Sequence, residues 1–262
     1  MNPKLMGVVN VTPDSFSDGG LYLDPESAIA HGRELAEQGA GILDVGGEST
    51  RPGAAEVSEE EELRRVVPVI EGLGGVEAVV SVDTSKLAVA EAALDAGADI
   101  VNDVTAMRRD PEIGALCAER GAGLVLMHML GDPRTMQVDP HYEDVVEEVK
   151  AFLAERLEAA VAAGVDEERV WLDPGIGFGK TLEHNLELLR RLGELRDLGR
   201  PLVIGTSRKS FLGKIDDSPV DERLGGTIAS SVLAAAEGAD VLRVHDIVEV
   251  RQALTVAAAV LG

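Results

Sequence analysis

A closed (β/α)₈ barrel is the fold class this sequence predicts, on three observations. Short apolar runs alternate with longer amphipathic segments from one end of the chain to the other. The length, 262 residues, suits one barrel of about 250 residues. Finally, 45% of residues are apolar but only 3% aromatic, so the core must be filled by Val, Ile, Leu and Ala, the branched and small types a parallel barrel uses.

The strand candidates, in order, are residues 5–10, 41–46, 78–83, 99–102, 123–128, 170–173, 202–206 and 241–245. Each is a short Val/Ile/Leu run of the kind buried on both faces of a parallel sheet. Helix-period segments lie between them at 26–38, 59–73, 86–96, 111–120, 142–163, 182–192 and 219–237, and a last one at 247–261 closes the chain. Gly39, Gly97, Gly121 and Gly238 each fall where a helix should end and the next strand begin, a position that favours positive φ. No linker or shift in composition divides the chain, so one domain over 1–262 is expected. An open doubly wound sheet is the runner-up, but it has no need of eight near-equal repeats.

The formal charge of −23 argues against nucleic acid or an anionic membrane as partner, because such a field repels phosphate. The acidic run Glu59 to Glu62 reads as a solvated helix face. Cys117 is the single cysteine, which suits a reducing compartment, and its apolar surroundings point to a structural thiol. Charged residues interrupt every apolar run before spanning length, and the N-terminus lacks a signal-like stretch. A cytoplasmic protein is expected.

Polar residues recur at the predicted C-terminal strand ends: Asn10, Asp44, Asp83, Asn102, His128, Asp173, Ser207 and His245. Barrel active sites gather at that rim, whereas structural turns would scatter such residues. Two loops stand out, Asn10-Val-Thr-Pro-Asp-Ser-Phe-Ser-Asp-Gly-Gly20 and Asp44-Val-Gly-Gly-Glu-Ser-Thr-Arg-Pro-Gly53. Further along come Ser81-Val-Asp-Thr-Ser-Lys86, Val101-Asn-Asp103, Asp173-Pro-Gly-Ile-Gly-Phe-Gly-Lys180, Ser207-Arg-Lys-Ser210 and Arg243-Val-His-Asp246.

In this order and on these elements, the motifs resemble those of the dihydropteroate synthases from Gly7 to Asp246. Pterin-binding methyltransferases, also barrels, are not expected to carry the Ser-Thr-Arg-Pro-Gly and Ser-Arg-Lys-Ser loops. The resemblance implies condensation of a dihydropterin pyrophosphate with p-aminobenzoate, both small molecules. It also implies Mg²⁺, with Asn10 as the protein ligand, and a homodimer; the Ala/Val-rich stretches 228–236 and 253–261 would suit an interface. By the same resemblance Asp83, Asn102, Asp173, Lys209 and Arg243 form the pterin pocket. Thr50, Arg51, Pro52, Phe178 and Ser210 receive p-aminobenzoate, with Lys209 beside them. Arg243, His245, Lys209 and Asp18 serve catalysis, and Phe16 and Asp18 close the first loop.

The residue types suit the roles. Carboxylates accept from ring N–H groups, Asn both donates and accepts, and Lys donates. Arg243 and His245 alternate on one strand, so both face one side. With so acidic a chain, anion capture needs local cations, here Lys209, Arg208, Arg51 and Arg243. Loss of Arg243 should cost turnover far more than folding. The bland alternatives are that Asp83 or Asp173 caps a following helix, and that Phe178 is ordinary packing, though between two glycines it has little local wall.

Overall fold

The computed structural model describes residues 2–12, 24–49, 54, 56–132 and 135–261. Asp14, Phe16, Asp18, Thr50, Arg51 and Pro52 lie outside the described residues. Eight parallel strands alternate with helices: β1 (Lys4–Asn10), α1 (Pro25–Gln38), β2 (Ile42–Gly46), α2 (Glu59–Gly72), β3 (Val79–Asp83), α3 (Leu87–Asp95), β4 (Ile100–Asp103), α4 (Glu112–Arg120), β5 (Gly123–Met127) and α5 (Val145–Ala162). The second half continues with β6 (Val170–Asp173), α6 (Leu182–Arg190), β7 (Val203–Ile204), α7 (Ser210–Asp216), α8 (Leu224–Ala236), β8 (Val241–Val244) and α9 (Ile247–Leu261). The strand order β6-β5-β4-β3-β2-β1-β8-β7 is closed by a parallel bridge between Leu172 and Leu202. The chain thus forms the expected barrel.

Strand alternation divides the core into two layers. Leu5, Val9, Leu43, Val45, Val82, Leu124, Leu172 and Leu242 face outward into the helix layer. Met6, Ile42, Ile100, Val125, Val203 and Val241, with Trp171, plug the barrel interior. β3 presents Ser81, in register with Ile100. This apolar plug is a floor, so inward residues further along each strand stand above it in a closed cup.

The helix ends follow the sequence signals. Asp24, Ser58, Asp144 and Thr181 cap α1, α2, α5 and α6 with their side chains, and the four glycines singled out above all have positive φ. The seventh strand departs from expectation. It keeps two residues rather than five, and the Ser207–Ser210 motif leads directly into the extra helix α7. Phe211 and Leu212 bury themselves from that helix, which fixes the motif against the barrel rather than leaving it a free loop.

Candidate functional site

Above the floor, β2, β3, β4 and β8 aim their inward residues at one another. Asp44 is fully buried mid-strand, below the rim at which the sequence placed it. The Arg243 guanidinium reaches across β1 to both carboxylates, with Nε 2.6 Å from Asp44 Oδ2 and Nη2 2.9 Å from Asp83 Oδ2. Asn102 Nδ2 donates to the same Asp44 oxygen at 3.1 Å. Burial alone would lower the Arg243 pKa, but the carboxylates outweigh it and hold the guanidinium charged. Asp83 moves the other way: burial pushes its carboxyl up, Arg243 pulls it back, and Asp44 beside it pushes it up again. Its Oδ2 serves Arg243, and α3, with Lys86 at its N-cap position, has no side-chain cap, so Asp83 is not a helix cap.

Asp173, at the end of β6, is also buried and its carboxyl is raised by burial, with Lys209 opposing. Its Oδ1 accepts from Gly175 N at 2.7 Å, a local turn bond. Burial lowers the Lys209 ammonium to about 8 against the pull of Asp173. Lys209 Nζ donates to Ile176 O at 2.5 Å and lies 4.6 Å from the centroid of Phe178. Contrary to expectation, Phe178 has a wall: it packs on the buried cluster Val104, Met127, Met129 and Met136. Ser210 is exposed at the start of α7.

His245 follows β8, with Nδ1 2.9 Å from Ser207 Oγ. Arg208, expected among the anion-capturing cations, is instead paired with Asp246, Nη2 to Oδ1 at 2.5 Å, and struts the β7 loop to the start of α9. Asn10 ends β1, and its Oδ1 lies 3.9 Å from where a Cβ on Gly46 would stand, so the glycine keeps space beside the amide. Among the described residues no group of three or more His, Cys, Asp or Glu is suited to a metal. Cys117 is buried, and burial pushes its thiol up to about 12, as an inert structural role requires. No described helix is long and apolar enough to cross a membrane.

Three buried groups escaped the sequence reading. Glu62 is not solvated: it is 1% exposed and pairs with the buried Lys86, whose Nζ also meets Glu48 Oε2 at 2.5 Å and Val57 O at 2.7 Å. The signal was present, because Glu62 shares a helical face with Val66 and Val69. Lys180 is equally buried, 2.9 Å from His128 Nδ1. His128 turns from the cup to stack edge-on against Phe152 of α5. Beside the cup, a cavity of about 330 Å³ opens among Glu48, Glu62, Thr84, Arg108 and Met129; among the described residues, Asp83 is the one predicted site residue on its wall.

Residues 6–245 match the family described as pterin binding enzymes. The chain is 48% identical to the dihydropteroate synthase of Escherichia coli K12, over 100% of its own length and 93% of that protein. The chain belongs to the dihydropteroate synthase family. A solved Xanthomonas albilineans member of that family, in complex with 4-aminobenzoic acid, superposes with TM-score 0.93 at 50% identity, covering 100% of this chain and 94% of that one. The same enzyme in complex with 7,8-dihydropteroate gives 0.89 at 47% identity, with the same coverage. Family membership and the cup agree in kind, since a polar, carboxylate-lined pocket over an apolar floor suits a flat heterocycle rich in N–H groups.

Proposed function

We propose that this chain condenses 6-hydroxymethyl-7,8-dihydropterin pyrophosphate with p-aminobenzoate, giving 7,8-dihydropteroate and pyrophosphate, within the cup described above. The observation that carries the reading is the convergence of Asp83, Asn102, Asp173, Lys209 and Arg243 in a chain 48% identical to a dihydropteroate synthase. Asp83 and Asp173 accept from the pterin ring N–H groups, Asn102 donates and accepts, and Lys209 donates. Arg243 and His245 receive the pyrophosphate as its bond to the pterin methylene breaks. The amine of p-aminobenzoate then gives its electron pair to that carbon and sheds a proton. No nucleophilic side chain is required, so catalysis rests on positioning and charge stabilisation. Phe178 flanks the aminobenzoate ring, Ser210 faces its carboxylate, and Thr50, Arg51, Pro52 and Asp18 keep the roles the resemblance gives them.

Asn10 offers one neutral amide oxygen, which fits Mg²⁺ because that ion keeps several waters and leans on substrate phosphates. Bound there, the ion would neutralise charge on the leaving pyrophosphate. The protein is read as a cytosolic homodimer. Apolar residues exposed on α8 and α9, Leu233, Val256 and Val260 at 64%, 59% and 77%, support a subunit contact there. The deciding experiment incubates the protein with Mg²⁺ and both substrates and assays for dihydropteroate. Pterin binding without product would leave a non-catalytic pterin-binding barrel.

A further inference from the structure

The Gly177-Phe178-Gly179 segment is, by composition, among the freest backbone in the chain. In the fold it is held at nearly every polar backbone atom. Four successive carbonyls each accept from a different side chain: Ile176 O from Lys209 Nζ at 2.5 Å, Gly177 O from Gln137 Nε2 at 2.9 Å, Phe178 O from Lys180 Nζ at 3.0 Å and Gly179 O from Tyr142 Oη at 2.8 Å. Gly177 N donates to Asn185 Oδ1 at 2.6 Å, and Phe178 N to Gly175 O at 3.0 Å. The neighbouring loop packs without a gap, since a Cβ on Gly175 would stand 1.9 Å from His128 O and one on Gly179 2.6 Å from Leu130 Cβ. The backbone at His128 and Leu130, after β5, therefore packs directly on the turn after β6.

We propose that Gln137, Tyr142 and Lys180 are positioning residues that hold Phe178 as a fixed wall for the second substrate. The proposal rests on the reading of Phe178 as the flank of the aminobenzoate ring. A wall carried by a Gly-Phe-Gly turn would otherwise sample many orientations, and each would have to be frozen on binding. Of the pterin contacts, Asp83 and Asn102 stand on β3 and β4, away from this turn. Asp173 and Lys209 are tied to it at Gly175 and Ile176 rather than at the Gly177 and Gly179 carbonyls that Gln137 and Tyr142 hold. Freeing those two carbonyls should therefore weaken the second substrate and largely spare the first.

The test varies each substrate separately in steady-state kinetics with Tyr142→Phe, Gln137→Ala and, as reference, Phe178→Leu. Tyr142→Phe keeps the ring against His184 and removes only the hydroxyl. Gln137 is half-buried, so neither change threatens the fold. Both should raise KM for p-aminobenzoate about 5–10-fold, the effect of one lost hydrogen bond, and leave KM for the pterin within about twofold. Combining Tyr142→Phe with Phe178→Leu should add little to Phe178→Leu alone, because the hydroxyl acts through the ring. If Phe178→Leu is impaired while the other two are unchanged, or weaken both substrates equally, the positioning role is wrong. If Phe178→Leu itself leaves KM for p-aminobenzoate unaltered, the underlying assignment of Phe178 fails instead.

Discussion

Contrary to the expectation from sequence that losing Arg243 would spare folding, replacing it by Met should destabilise the protein as well as silence it, and the penalty should depend on pH. The guanidinium bonds two carboxylates, at 2.6 Å and 2.9 Å, whose side chains are 0% and 8% exposed. Removing one partner from a buried ion cluster costs about 3–5 kcal/mol, because the charge left behind has lost its solvent and its counter-ion. Asp83 is already raised by burial, and losing Arg243 removes the largest influence holding it down. A carboxyl whose folded pKa lies above its unfolded value adds stability that is complete below the unfolded pKa. That stability is lost as pH rises through the folded pKa. The penalty should therefore be largest near pH 8 and shrink by about 1.4 kcal/mol toward pH 5.5, since Asp83 in the parent is raised to about 7 and only the pH unit above that separates it from the variant, at about 1.4 kcal/mol per tenfold change in proton concentration. Urea unfolding of parent and variant at the two pH values measures this directly. Adding Asp44→Asn should recover part of the loss by removing one stranded charge. A penalty below about 1 kcal/mol, or one identical at both pH values, would refute the argument.

Asp83→Asn should weaken pterin binding about tenfold or more in calorimetry, because an amide can present a donor where the ring N–H needs an acceptor; equal affinity would remove Asp83 from the pocket. Pterin affinity should follow a bell-shaped pH profile. It should fall in acid as the raised carboxyls of Asp83 and Asp173 take up protons, and fall in alkali as Lys209 discharges near 8, so a flat profile would count against all three. Lys86→Met should cost about 3–5 kcal/mol by stranding Glu62 and Glu48, read as a lower unfolding midpoint; a wild-type midpoint would show the cluster to be dispensable. Finally, p-aminobenzoate, or a sulfonamide resembling it, should bind more tightly once pterin, pyrophosphate and Mg²⁺ are present, by about 1–3 kcal/mol of coupling. Equal dissociation constants with and without those ligands would mean a second site that is already formed.

The barrel was legible in the sequence because its signals are local: a short apolar run, a helical period, and a glycine such as Gly39 or Gly238 where the chain turns left-handed. The inward polar set was legible for the same reason, since Asp83 and Asn102 stand in register at or next to the ends of adjacent strands. What escaped depends on distance or on packing. Asp44 and Arg243 lie 199 positions apart, and no local pattern pairs them. Lys86 and Lys180 carry the residue type most often found in water, so only the closed fold shows them buried. Helix α7 has seven residues with Gly213 inside, too short for a period to declare itself, and the polar motif ahead of it reads as loop. Phe178 has no wall among its own sequence neighbours, because Val104 comes from just past β4 and its methionines from the end of β5 and the loop beyond.

A chain with a formal charge of −23 must still receive two anionic substrates, and the cup suggests how that conflict is met. Its cations are held by three carboxylates, two of which, Asp83 and Asp173, would also bind the pterin: Arg243 is held by Asp44 and Asp83, and Lys209 lies within the field of Asp173. A buried guanidinium without those partners would carry the desolvation cost of an isolated charge, so the carboxylates make it possible to keep one there. On the proposed reading, pterin N–H groups take over as donors to Asp83 and Asp173. The Arg243 Nη2 contact then has a competitor, while its Nε contact to the fully buried Asp44 does not. The guanidinium stays oriented by one carboxylate as the other turns to the ring, and its charge becomes available to the pyrophosphate carried on the same molecule. The neutral ring, by where it binds, uncovers the receptor for its own anionic tail. Asp44 reaches neither substrate in this scheme, yet it decides where the charge points.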